Sequence, residues 1–144
     1  MGLDMYLVKK HYVNYSNNEG TISLGQHFKT PSIIEIDLSK VSTICIEAAY
    51  WRKANQIHNW FVQNVQDGKD DCEEYEVTYE KLMELKNTCL LAIETKNPNL
   101  LPPTEGFFFG STEIDDYYWD DIRETIDKLS DLKDDGVYFY HSSW

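Results

Sequence analysis

The hydrophobic residues of this chain follow two different rhythms, and that limits what it can fold into. Residues 5–13 (MYLVKKHYV) and 137–141 (VYFYH) are dense in β-branched and aromatic types, and 33–38 (IIEIDL) alternates apolar and acidic. Such runs predict strands. Elsewhere the apolar positions recur every three or four residues. Tyr50, Ala54, Ile57, Phe61 and Val65 predict a helix over about 42–66, stopped at Asp67-Gly68. Thr78 caps a second helix over about 79–95, with Tyr79, Leu82, Met83, Leu90 and Ile93 as its buried face. Asn97-Pro98 ends it, and Pro102-Pro103 marks a rigid loop. Ile122, Ile126 and Leu129 give the stripe of a third helix over about 116–134, with acids crowding its start. Short strands near 21–28, 75–77 and 107–109 complete the pattern, which predicts a single α+β domain. Its mostly antiparallel sheet of about four to six short strands packs with three helices.

At 144 residues the chain is long enough for one core without staples. It holds 13 basic and 25 acidic residues, a net charge of −12. That excludes nucleic-acid binding through a basic face and disfavours an anionic membrane surface. The charge is lopsided. Residues 1–66 carry 6 bases and 5 acids, whereas 67–144 carry 7 and 20. A partner for the second half is therefore expected to be cationic, and an anionic ligand is expected to meet the first half. No run of 18 apolar residues offers a membrane span, and residues 1–6 do not read as a signal peptide. Cys45, Cys72 and Cys89 form no Cys-x-x-Cys pair and read as reduced thiols of a cytoplasmic protein, with Cys45 and Cys89 in apolar stretches of the core.

Ligand-type side chains are densest at residues 50–60 (YWRKANQIHNW). On a helix, Trp51, Asn55 and His58 would share one stripe and Arg52 and Gln56 the next. A stacking plane, amides and a fixed cation are the parts that hold a base and a phosphate. The same pattern also fits a helix whose Trp and His flank the core. Residues 106–112 (GFFFGST) join glycines to a Ser-Thr pair, which suits either a phosphate contact at Ser111 or a buried strand leaving through a glycine turn. The acids at 67–76 suit a hard cation or a solvated loop. No nucleophile elbow, phosphate loop or zinc helix is present, so the residues name no catalytic group, metal or cofactor.

The stretches 2–7 (GLDMYL), 50–72 (YWRKANQIHNWFVQNVQDGKDDC), 106–112 (GFFFGST) and 142–144 (SSW) together resemble a family of small proteins from phages and prophages of Gram-positive hosts. The resemblance spans nearly the whole chain. This chain departs from the family pattern at His141, where Gln is expected, and in the run Ile114-Asp115-Asp116-Tyr117-Tyr118. Some members carry the label phosphoglycerate kinase, but this chain is too short for that two-domain enzyme and lacks its nucleotide loops. The resemblance implies a phage accessory protein in a bacterial cytoplasm and brings no catalytic residues with it.

These readings combine into one expectation: a homo-oligomeric counter-defence protein that binds and sequesters a nucleotide-derived immune signal without turnover. Tyr50, Trp51 and Arg52 would stack on or pair with the ligand, Asn55 and His58 would fix its polar edges, and Tyr6 or Tyr138 would close the pocket. Two alternatives stand beside it. One is an acidic inhibitor that mimics nucleic acid against a host defence nuclease, acting through the second half of the chain. The other is a small metal-dependent nucleotide hydrolase.

Overall fold

The computed structural model describes residues 2–13 and 37–144. Strand β1 spans Asp4–Tyr12, β2 Thr43–Arg52, β3 Tyr75–Val77 and β4 Val137–Ser143. They form one antiparallel sheet in the order β2-β1-β4-β3. Three helices accompany it: α1 Asn55–Asn64, α2 Tyr79–Thr95 and α3 Asp116–Ser130. The α+β class, the antiparallel sheet and the three helices agree with the sequence reading. The strand predicted at 21–28 and most of that at 33–38 lie outside the described residues.

Alternation along the strands decides which face is covered. Leu3, Met5 and Leu7 are buried, as are Ala49 and Trp51 of β2, Val77 of β3 and Tyr138 and Tyr140 of β4. Ile57, Trp60 and Phe61 of α1 join them in one core, with Leu82, Leu85, Cys89 and Ala92 of α2 and Tyr118, Ile122 and Leu129 of α3. The helices therefore share one side of the sheet. Phe61 stacks on Tyr140 with ring centroids 3.9 Å apart. Burial drives the Cys89 thiol up to about 12, so it behaves as a small apolar group.

The predicted helix over 42–66 is replaced by a strand and a shorter helix. Residues 43–52 pair with β1 along its whole length, from Tyr12↔Thr43 to Asp4↔Arg52, with a register shift at Leu7/Val8. The β-branched Thr43, Ile44 and Ile46 favour the extended chain, and pairing with β1 outweighs the helix-forming Glu47-Ala48-Ala49. The helix begins only after Lys53, whose φ of 58° reverses the chain. It stops near the predicted place, where the Gly68 amide bonds back to Val62 and Gly68 has a φ of 78°.

Other boundaries hold. Thr78 accepts from the Lys81 amide and Asp115 from the Tyr118 amide, so both helices start on side-chain caps. α3 ends at Ser130, earlier than the predicted 134. Two burial readings change. Cys45 is exposed on β2, and Leu90 is 45% exposed, because the buried stripe of α2 runs through Leu82, Leu85, Cys89 and Ala92. Residues 107–109 form no strand. They lie in a turn closed by the Phe109 amide on the Gly106 carbonyl, and only Phe109 is buried.

Leu85→Ala is expected to lose about 2–5 kcal/mol in urea unfolding. Leu90→Ala, on the outer side of the same helix, should stay within about 0.5 kcal/mol of the parent.

Candidate functional site

The corner between β2 and α1 is pinned by one side chain. Asn55 is buried at the first position of α1. Its Nδ2 donates to the Phe109 carbonyl at 3.2 Å and the Ser111 carbonyl at 2.9 Å, and its Oδ1 accepts from the Thr104 amide at 3.1 Å. A side chain of this kind satisfies backbone groups that a loop leaves open. It therefore fixes residues 104–111 against the corner. The Lys53 amide donates to the Leu3 carbonyl, and the Leu3 amide to that of Phe108. Gly110, with a φ of 93°, passes so close that an added Cβ would lie 3.2 Å from the Lys53 Cβ.

This packing leaves a cleft of about 490 Å³ beside it. Arg52, Lys53 and Gln56 come from the corner, and Gly110 and Ser111 from the pinned loop. Glu113, Asp115, Tyr117, Tyr118 and Asp121 come from the segment that leads into α3 and from its first turns. Two cations thus face three carboxylates. Arg52 approaches Asp4 at 3.9 Å, a loose pairing that leaves guanidinium donors for other partners. Gln56 Nε2 donates to the Tyr118 carbonyl and to Asp121, both at 3.2 Å. Burial raises the Asp121 carboxyl above its ordinary range, against the bond from Gln56, and the neighbouring Glu124 pushes it further up. Tyr117 stands 81% exposed at the lip. Tyr118 turns inward and donates to the Leu101 carbonyl at 2.9 Å, and burial moves its hydroxyl up to about 12.

A second, shallower hollow of about 280 Å³ shares Arg52 and Asp121 with the first and adds Tyr50, Trp51, Glu124 and Lys128. Among the described residues, no group of three or more His, Cys, Asp or Glu is placed to hold a metal ion. No helix among them is long and apolar enough to cross a membrane.

Of the side chains singled out from sequence, Arg52 and Ser111 line the cleft. Trp51, Asn55 and His58 do not form a shared ligand stripe. Trp51 is on β2, its ring buried against Phe61, and its Nε1 donates to Thr125 Oγ1 at 2.9 Å. His58 is fully buried. Its Nε2 lies 3.0 Å from Asp70 and its Nδ1 2.7 Å from the Tyr140 hydroxyl. Asp70 only accepts, so Nε2 carries a proton. Burial holds the Tyr140 hydroxyl well above its usual range, so in the neutral ring it donates to Nδ1. Asp70 also accepts from Trp144 Nε1 at 3.0 Å, which ties the acidic 67–76 loop to the end of β4.

Tyr6 and Tyr138 fall on opposite faces of the sheet. Tyr138 is buried, with its hydroxyl donating to the Lys133 carbonyl at 2.7 Å. Tyr6 lies on the other face between its register partners Tyr50 and His141, stacked on His141 at 4.9 Å and 5.3 Å from Tyr50. The Tyr50 hydroxyl donates to Asp4. The sequence reading passed over Lys53, Asp115, Tyr117, Tyr118 and Asp121. Their signal was the acidic and aromatic crowding at 113–121, which was read as helix capping alone.

No family model, curated protein or solved structure matches the chain.

Removing the Asn55 side chain orphans three backbone groups at once. Asn55→Ala is expected to cost about 2–4 kcal/mol in urea unfolding and to speed amide exchange at 104–111. Unchanged exchange there would show that the loop is held by other contacts. Asp121 gives a pH signature. Its folded carboxyl binds a proton more readily than the unfolded one, so its contribution favours the fold in acid and is lost as pH rises through the folded pKa. Asp121→Asn should therefore be more stable than the parent at neutral pH, and the gap should close by about pH 3. Urea unfolding at both pH values checks this.

Proposed function

We propose that the chain is a binding protein whose cleft takes a nucleotide-derived anion and holds it without turnover. The observation that carries this reading is the meeting of two separate sequence stretches, 50–59 and 106–112, at one cleft: Arg52 and Lys53 stand across from Ser111 and Tyr117. The charge layout is bipolar. Cations come from the corner, and carboxylates from the start of α3. A simple anion would be drawn to one wall and repelled by the other. A ligand with phosphate at one end and a donor-rich base at the other fits both. Arg52 and Lys53 would take the phosphate, Asp121 and the Gln56 amide would meet base N–H and carbonyl groups, and Tyr117 would stack. Trp51, Asn55 and His58 act as positioning residues that shape the walls. The resemblance to small phage proteins supplies the setting, a bacterial cytoplasm in which sequestering such a molecule would blunt a host signal.

Thermal unfolding against a panel of mononucleotides, dinucleotides, cyclic nucleotides and ADP-ribose isomers tests the reading. At least one is expected to raise Tm by about 5 °C or more at a hundredfold excess over its Kd. Arg52→Ala and Tyr117→Ala should each suppress the rise while leaving the unliganded Tm close to that of the parent. A parent protein that no member of the panel shifts would overturn it.

A further inference from the structure

The loop that walls the cleft also presents an apolar projection away from it. Phe107 is 74% exposed and Phe108 46%, with ring centroids 4.2 Å apart. Phe108 sits at a φ of 64°, a region that bulky side chains rarely occupy. Exposure does not compensate for that strain. The surroundings enforce it, through the Leu3 amide on the Phe108 carbonyl, the buried Phe109 ring and the Asn55 clamp. Gly106 is hemmed in as well, since an added Cβ would meet the Phe109 ring at 2.4 Å. The two phenyl groups are therefore held outward on a fixed base. Preorganised aromatic pairs of this kind are typical anchors of protein interfaces.

The charge around them selects the partner. Residues 104–121 carry six acids (Glu105, Glu113, Asp115, Asp116, Asp120 and Asp121) and no Lys or Arg. Glu105, Glu113, Asp116 and Asp120 are exposed. A second copy of this chain would bring a net charge of −12 against them. An anionic lipid surface would be repelled for the same reason. We infer that Phe107 and Phe108 dock into an apolar socket on another protein, and that lysines and arginines around that socket pair with the acids beside the loop. The surface is distinct from the small-ligand cleft, because both rings point outside the set of side chains that line it.

A photo-crosslinking phenylalanine analogue at position 107 in the full chain, activated in expressing cells, tests this. One dominant protein adduct is expected, with the crosslink mapped to an apolar patch flanked by basic residues. With that partner purified, Phe107→Ala should weaken binding about thirty-fold or more. Charge reversal at Glu113 and Asp116 should weaken it too, and raising salt from 0.1 to 0.5 M should cost about tenfold. Arg52→Ala, which removes a cleft cation, should leave it unchanged. A crosslink only to the chain itself, only to lipid or to nothing overturns the inference, as does a partner whose binding ignores both salt and Phe107→Ala. Circular dichroism of each variant confirms the fold, so a loss of binding is read at the surface.

Discussion

Everything around the cleft depends on the three hydrogen bonds of Asn55. Helix α1 begins with this residue, and its amide group holds the Thr104, Phe109 and Ser111 backbone. Each bond alone adds about 1 kcal/mol to stability. Their joint effect is geometric, because residues 104–111 contain no regular element that could fix them otherwise. With the clamp in place, the loop carbonyls turn inward and Ser111 faces Arg52 across open space. The cleft is thus a by-product of how one buried amide meets its hydrogen-bonding requirement.

Much of the fold was legible because its determinants are local. The α2 and α3 stripes, the Thr78 cap and the acidic N-terminus of α3 each lie within a few residues of what they control. The β2 segment was not legible. Its Glu-Ala-Ala run and the apparent spacing from Tyr50 to Val65 imitate a helix, and what decides against one is pairing with β1, some 40 residues away in sequence. The site was misread for the same reason. Trp51, Asn55 and His58 have ligand-type groups, but their partners Thr125, Phe109 and Tyr140 lie 74, 54 and 82 residues away. Nothing near them in the chain announces that these groups are already engaged. Arg52 was legible because its neighbours on β2 and in the loop leave its head group at the surface.

The three phenylalanines at 107–109 show how one short run can do two opposed jobs. Their chemistry is identical, and backbone geometry alone separates them. Phe109 turns into the core beside His58, with the rings edge to face at 5.2 Å, while the left-handed Phe108 and its neighbour turn out. The buried ring anchors the exposed pair. A β-strand would also have split them by alternation, but it would have put Phe107 and Phe109 on one face and Phe108 on the other.

Lys53 and Phe108 hold positive φ values on the two sides of the same contact, at the corner and in the loop. Each forgoes about 1–2 kcal/mol that glycine would recover. A lineage selected only for heat tolerance would therefore drift toward glycine at both places. It would gain a sturdier molecule while shedding a cation from one side of the hollow and an aromatic ring from the outer surface. That both residues are instead bulky and strained marks a bargain in which robustness has been given up for chemistry displayed at the surface.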